Sequence, residues 1–228
     1  MQLKTSNSST GMAVEHTLVK VPADSIEVEG ILSVPTDAQG MVLFAHGSGS
    51  THRSPRNRSV ADVLNEDGMA TLLIDLLTED EQQVDLQTTR LRFDIAFLAS
   101  RLTAIADWLR QQPEVGKLAL GLFGASTGAA AALLTAAERP RDVKAVVSRG
   151  GRPDLAADAL ERVEAPVLLI VGGEDVAVIE LNRRAMARMR CVHELRIISG
   201  ATHLFEERGA LDQVATLAAG WFLKSLAL

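Results

Sequence analysis

Gly124-Ala125-Ser126-Thr127-Gly128 is the stretch of this sequence whose residue types and spacing most clearly suit chemistry. A serine hydroxyl attacks a carbonyl when it stands exposed at a rigid point and a base can take its proton. The pattern G-x-S-x-G provides the rigid point if a strand runs into it and a helix leaves it. LALGLF precedes it and AAAALLTAAE follows, which meets both conditions. The turn is tight enough to strain the serine backbone. The small residues Gly124, Ala125 and Gly128 keep the flanking strand and helix clear of it. Taken alone, the pentapeptide is equally an ordinary strand-to-helix turn whose serine caps the helix.

Three further stretches supply what a nucleophilic serine needs. His46-Gly47-Ser48-Gly49 follows the apolar run MVLFA. Acyl transfer needs two N–H groups aimed at the developing oxyanion. Thr127, next after the serine, is expected to give one, and Ser48 in this glycine loop the other. A phosphate-binding loop is the competing reading, but its lysine is missing and the G-x-G-x-x-G spacing is not met. Gly172-Gly173-Glu174-Asp175 follows VLLIV, and an acid at a strand tip can hold a histidine in its working tautomer. Asp175 is the candidate. Glu174 comes one position too early, Asp154 is the rival, and any single loop carboxylate is more often merely solvated. His203 lies after the last predicted strand and before the last predicted helix, where the base is expected. His16 and His193 read as structural. His46 reads as shaping the glycine loop and is also a candidate substrate contact, while His52 stays unassigned. The order Ser126, Asp175, His203 differs from that of the chymotrypsin and subtilisin triads.

The segment Thr51-His52-Arg53-Ser54-Pro55-Arg56-Asn57-Arg58 brings three arginines to the rim of this expected site. A guanidinium fork binds a carboxylate or phosphate at two points, so Arg53 or Arg58 could anchor an anionic substrate. The plainer alternative pairs them with Glu79, Asp80 and Glu81. Arg149 and Arg152 could join either role.

The elements that must hold these residues follow from the apolar pattern. His16–Pro22 and Ile26–Pro35 read as strands joined too tightly for a crossover helix, hence an antiparallel hairpin. After that, short apolar runs alternate with helical periodicity, the sign of a mostly parallel sheet with helices on both faces. Strands are predicted at Met41–Ala45, Ala70–Asp75, Leu118–Phe123, Val143–Ser148, Val167–Val171 and Glu194–Ile198. Helices are predicted at Asn57–Glu66, Asp94–Gln111, Gly128–Glu138, Leu155–Leu160, Ile179–Met189 and Leu211–Leu226. A lid is expected between Ser148 and Pro166, where the chain leaves room for little or none.

Size and composition set the bounds. The 228 residues suit one domain, 13–228, preceded by a polar Ser/Thr-rich tail, 1–12. A 47% apolar and 23% charged composition is that of an ordinary globular protein. The net charge of −6 argues against nucleic acid or an anionic membrane as partner. Cys191 is the single cysteine, so no internal disulfide forms, and no signal peptide or spanning run is visible; the cytoplasm is the expected location. No metal or cofactor is called for, and a homodimer stays open.

HGSGS at 46–50, GASTG at 124–128, GGED at 172–175 and Ala-Thr-His at 201–203 together resemble the α/β-hydrolase superfamily, specifically its dienelactone hydrolase-like branch. HRSPRNRSVADVLNEDGMATLLIDLLTEDE and LRFDIAFLASRL are similar to small bacterial hydrolases that occur alone or fused to phosphoribosyltransferase domains, and no such second domain is expected here. The resemblance runs from about Val28 to the C-terminus and implies the α/β-hydrolase fold with the Ser126-His203-Asp175 triad. Dienelactone hydrolases proper use a cysteine nucleophile, whereas serine stands at this elbow, so the dienelactone substrate does not carry over. The expectation is a serine hydrolase cleaving an ester, lactone or thioester of a small molecule through an acyl-enzyme. The alternatives are an acyltransferase or perhydrolase using the same triad, and a non-catalytic binding module.

Overall fold

The computed structural model describes residues 13–23 and 25–227. The tail expected at 1–12 lies outside them. The chain opens with β1 (Val14–Ala23), β2 (Ile26–Pro35) and β3 (Gly40–Ala45), then α1 (Pro55–Glu66), β4 (Met69–Ile74) and α2 (Glu79–Thr88). A single 3₁₀ turn, Leu91–Phe93, leads into α3 (Ile95–Leu109), β5 (Leu120–Ala125), α4 (Thr127–Glu138) and β6 (Val143–Arg149). A 3₁₀ segment, Pro153–Arg162, is followed by β7 (Val167–Gly172), α5 (Val176–Met186), β8 (His193–Ile198) and α6 (Ala210–Leu226). The eight strands form one sheet in the order β1-β2-β4-β3-β5-β6-β7-β8. β1 and β2 are antiparallel along their whole length, β2 meets β4 antiparallel, and every other pairing is parallel.

β3, β4, β5 and β7 are buried at every residue. Parallel strands covered on both faces read as unbroken apolar runs for this reason. Alternate side chains feed two cores. Leu43, Leu72, Ile74 and Leu122 pack with α3, α4 and α5. Val42, Phe44, Leu73 and Phe123 pack with α1 and α6 on the opposite face. In α3, Leu98, Leu102, Ile105 and Leu109 recur at helical spacing and are all buried, each contributing about 2 kcal/mol. Asp94 caps that helix by accepting from the Phe97 N–H at 3.0 Å.

The one element the apolar pattern does not reveal is α2. It presents Val84 and Leu86 to solvent and buries Asp85 alone, so it carries no apolar stripe. Its signature is local instead: Thr78 Oγ1 accepts from the Glu81 N–H, and Glu81 Oε2 accepts from the Thr78 N–H. That reciprocal capping box is written in the sequence as Thr78-x-x-Glu81. Elsewhere the boundaries differ from the expected ones by a few residues, and the segment expected as a helix at Leu155–Leu160 is 3₁₀ with a break at Ala157, φ 47°.

The chain runs from β3 outward to β4, then crosses back past β3 to β5. The carboxyl ends of β3 and β5 therefore flank the point where strand order reverses, the usual site of a ligand crevice in open α/β sheets.

Candidate active site

Ser126 is the single residue between β5 and α4. It stands at the helix N-cap with φ 51° and ψ −120°, and its side chain makes no capping hydrogen bond. A capping serine would adopt an extended backbone and accept from the first helical turn, so the plain capping reading does not hold. A non-glycine residue in this region costs roughly 1–3 kcal/mol and persists only where its surroundings enforce it. Here the Ser126 N–H donates to Arg149 O at 3.2 Å, and Ser126 O accepts from the Arg152 N–H at 3.1 Å. The end of β6 thus holds the turn from both sides.

The loop after β3 closes against this turn. A Cβ placed on Gly47 would lie 3.0 Å from Ser126 Cβ, so only glycine fits there without displacing a neighbour. Ser48 Oγ and Thr127 Oγ1 are 3.1 Å apart. The backbone N–H groups of Ser48 and Thr127 have no hydrogen-bond partner among the described residues.

His203 follows β8, in a loop anchored by the fully buried Phe205. Its Nδ1 lies 2.6 Å from Asp175 Oδ2. A carboxylate accepts, so the neutral ring carries its proton on Nδ1 and leaves Nε2 with a free lone pair. Nε2 makes no hydrogen bond among the described residues, and the His203 side chain is 40% exposed. The β7 and β8 ends are stitched together: the Gly173 N–H donates to Ile198 O at 2.8 Å, and the Glu174 N–H to Ala201 O at 3.0 Å. The rival acid Asp154 is occupied by both Nε and Nη2 of Arg152, and Glu174 is exposed. Ser126 Oγ makes no hydrogen bond to His203 here; such bonds are commonly loose before substrate arrives. The His203 ring edge borders Gly150, next to the Arg149 whose carbonyl holds Ser126.

A cavity of about 150 Å³ opens beside Ser48 and Thr127. Leu76, Leu77, Leu86 and Leu98 form its apolar wall, and Gln82, Asp85 and Arg92 add polar groups to the lining. The apolar wall comes from the β4–α2 loop, α2 and α3, and Ser148–Pro166, where little or no lid is expected, contributes nothing to it. Arg92 donates through Nε to Asp85 Oδ2 at 2.6 Å and through Nη2 to Asp85 O at 3.2 Å. Burial alone would raise the Asp85 carboxyl, but the Arg92 backbone N–H donating to Oδ1 at 3.0 Å, the Nε bond to Oδ2 and the Arg92 charge bring it below the usual carboxylate range. Residues 76–92 are therefore the part of the site that the motifs did not point to. The capping box at Thr78 was the available signal.

Arg53 and Arg58 do not line this cavity. Arg53 opens onto a second depression with Glu27, Glu29 and Asp75, and Arg58 onto a third beside His16 and Ser33. Neither forms an ion pair among the described residues; Glu81 instead pairs with Arg101 of α3, Arg101 Nη2 donating to Glu81 Oε1 at 3.0 Å. Arg149 is buried against α1, with Nη2 donating to Asn57 Oδ1 at 3.3 Å, and burial with the nearby Arg56 charge pushes it down to about 10. Nε and Nη1 of Arg149 are buried without a partner among the described residues.

His46 is buried, with both ring nitrogens engaged. Nδ1–H donates to Gly47 O at 2.9 Å, and Nε2 accepts from the Leu76 N–H at 2.9 Å. It lines the cavity but has no nitrogen left for a substrate. Burial holds its imidazole below the ordinary 6.5, against the opposing effects of the Gly47 bond and the Asp75 charge. The folded protein thus favours the neutral ring, while the unfolded chain takes up a proton near 6.5. This stabilisation is complete above pH 6.5 and is lost as pH falls through the depressed folded value. Urea unfolding between pH 7.5 and 5 should show that decline, and His46→Asn should flatten it. An equal slope in the variant would assign the effect to other groups. Glu81 and Asp85, whose values are depressed below the carboxylate range, act only at lower pH.

The mixed sheet with its antiparallel opening hairpin, the strained serine turn after β5, and an Asp–His pair at the ends of β7 and β8 define an α/β hydrolase. The match to the dienelactone hydrolase family runs over residues 28–222, and the chain belongs to that family. A dienelactone hydrolase from Anabaena variabilis is 55% identical with a TM-score of 0.91, covering 93% of this chain and 99% of that one. Est1E from Butyrivibrio proteoclasticus shares the fold at 18% identity and a TM-score of 0.76, over 91% of this chain and 98% of its own. Two Mycobacterium tuberculosis proteins named as phosphoribosyl transferases are 54% identical over 208 residues, which is 91% of this chain but 46% of theirs. The chain thus spans about half the length of these curated relatives. Among the described residues, no helix is long and apolar enough to cross a membrane.

Proposed function

We propose that this hydrolase cleaves a carboxylic ester or related acyl bond through an acyl-enzyme on Ser126. The observation that carries the reading is the 2.6 Å bond between His203 Nδ1 and Asp175, which fixes the tautomer whose Nε2 can accept a proton. In this mechanism His203 takes the Ser126 proton as Oγ attacks the carbonyl carbon. The Ser48 and Thr127 N–H groups hold the oxyanion, each worth about 3–4 kcal/mol of barrier. The C–O bond to the leaving group then breaks, and His203 returns the proton to it. Water, activated by the same imidazole, releases the acid. Asp175 stabilises the imidazolium at both stages.

The cavity supports a substrate class. Its 150 Å³ suits a body about the size of a benzene ring, and its leucine wall suits an apolar one. Arg92 lines the cavity with its Nη1 unbonded among the described residues, which favours a polar or anionic terminus, a role for which Arg53 or Arg58 was one of two readings. A fluorophosphonate probe tests the nucleophile: labelling of the intact chain at Ser126, abolished in Ser126→Ala, is the expected result. Folded protein that stays unlabelled would favour a non-catalytic binding module. A panel of neutral and carboxylate-bearing p-nitrophenyl esters, thioesters and lactones tests the substrate. Arg92→Met should raise KM for the carboxylate esters about tenfold, whereas Arg53→Ala and Arg58→Ala should change nothing; the reverse pattern would return the anchor to the 51–58 loop.

A further inference from the structure

The glycine loop that carries Ser48 is fastened at both ends to two consecutive residues at the tip of β4. At its start, the His46 ring accepts from the Leu76 N–H. At its far end, the His52 backbone N–H donates to Asp75 Oδ1 at 2.6 Å, and the His52 ring Nδ1–H donates to Asp75 Oδ2 at 2.9 Å. Both Asp75 oxygens are thereby spent on one loop residue. Between the two anchors the loop is tied to α4 by the 3.1 Å contact of Ser48 Oγ with Thr127 Oγ1. Its internal bond, Ser50 N–H to Gly47 O, is long at 3.2 Å. Gly49 sits at φ 67° with nothing packed within 4 Å of where a Cβ would be.

His52 and Asp75 form a second Asp–His pair, built like that of His203 and Asp175 but unsuited to proton transfer. The His52 side chain is 4% exposed, and its Nε2 already accepts from Arg53 Nε at 3.3 Å. We infer that Asp75 and His52 are positioning residues: they hold the loop so that the Ser48 N–H points at the oxyanion. The inference rests on the acyl-enzyme reading of Ser126 above.

The principal test is Asp75→Asn. It keeps the shape of the carboxylate but replaces one acceptor with an NH₂ that must face a donor. One oxyanion donor is typically worth about 10²–10³ in kcat. Misplacing it should lower kcat about 10- to 100-fold with KM nearly unchanged, and slow fluorophosphonate labelling by a similar factor without abolishing it. Hydrogen exchange should rise over residues 46–54 and stay unchanged over 120–138. His52→Ala, which keeps the backbone bond, should give a smaller fall of about 3- to 10-fold and decides the matter if Asp75→Asn does not fold. Wild-type labelling rate and wild-type exchange over 46–54 in a folded variant would overturn the positioning role. A wild-type enzyme that takes no label would overturn the acyl-enzyme reading instead, and exchange over 46–54 would still report whether Asp75 holds the loop.

Discussion

Ser126→Gly is expected to abolish turnover and at the same time raise the melting temperature. The loss of activity follows from removing the proposed nucleophile and should be about 10⁶-fold in kcat, the scale seen when a triad serine is deleted. The gain in stability follows from the backbone. At φ 51° and ψ −120° a side chain is strained whatever its chemistry, and glycine is not. Ser126→Ala provides the comparison, since it removes the hydroxyl but keeps Cβ and therefore the strain. The glycine variant should exceed the alanine variant by about 1–2 kcal/mol, or several degrees in Tm for a chain of this size. Activity retained in Ser126→Ala would place the nucleophile elsewhere. Equal melting temperatures for the two variants would mean that the turn stores no strain.

Gly128→Ala should damage both stability and chemistry. A Cβ on Gly128 would lie 2.3 Å from Ala45 O and 2.5 Å from His46 O. Both are backbone atoms at the end of β3 and cannot rotate aside. Either the first turn of α4 lifts from the sheet or the β3 loop retreats, and each movement parts the Thr127 and Ser48 N–H groups. Overpacking costs about 1–3 kcal/mol where side chains can yield, and a backbone clash should reach about 3 kcal/mol or more. The expected readings are a fall of about 6–12 °C in Tm and a fall of about 10²-fold in kcat. Gly220→Ala is the matched control. Nothing lies within 4 Å of its Cβ position on α6, so helix propensity alone should make it neutral or slightly stabilising. A Gly128→Ala enzyme with wild-type Tm and kcat would show that the close approach of α4 to the β3 loop is dispensable.

The core of the site was open to a reading of the chain because its determinants are local. G-x-S-x-G between a strand run and a small-residue helix dictates a turn at Ser126, and the turn carries its own strain and its own N–H donor. Glycines after MVLFA likewise dictate a loop that can approach a neighbour closely. What local pattern cannot express is a pairing across the sheet. Asp175, Asp154 and Glu174 are all loop carboxylates after late strands. The choice among them depends on the β7–β8 stitching that carries His203 to Asp175, and on Arg152 taking Asp154 first. The part of the cavity that α2 lines was not legible for a related reason: α2 packs through ion pairs and caps, and apolar periodicity does not register those.

By itself the sequence determined which residues stand at strand ends, which faces of each element are apolar, and in what order the chemistry-bearing side chains come, because backbone propensity and burial act within a few residues. The tertiary structure alone decided that Arg92 and not Arg53 or Arg58 reaches the cavity, that His52 is locked to Asp75, and that Ser48 and Thr127 meet. Those contacts join residues 23 to 79 positions apart or arise from how separate segments line one hollow. Their geometry is set by strand order and the crossover past β3, which no short window of sequence contains.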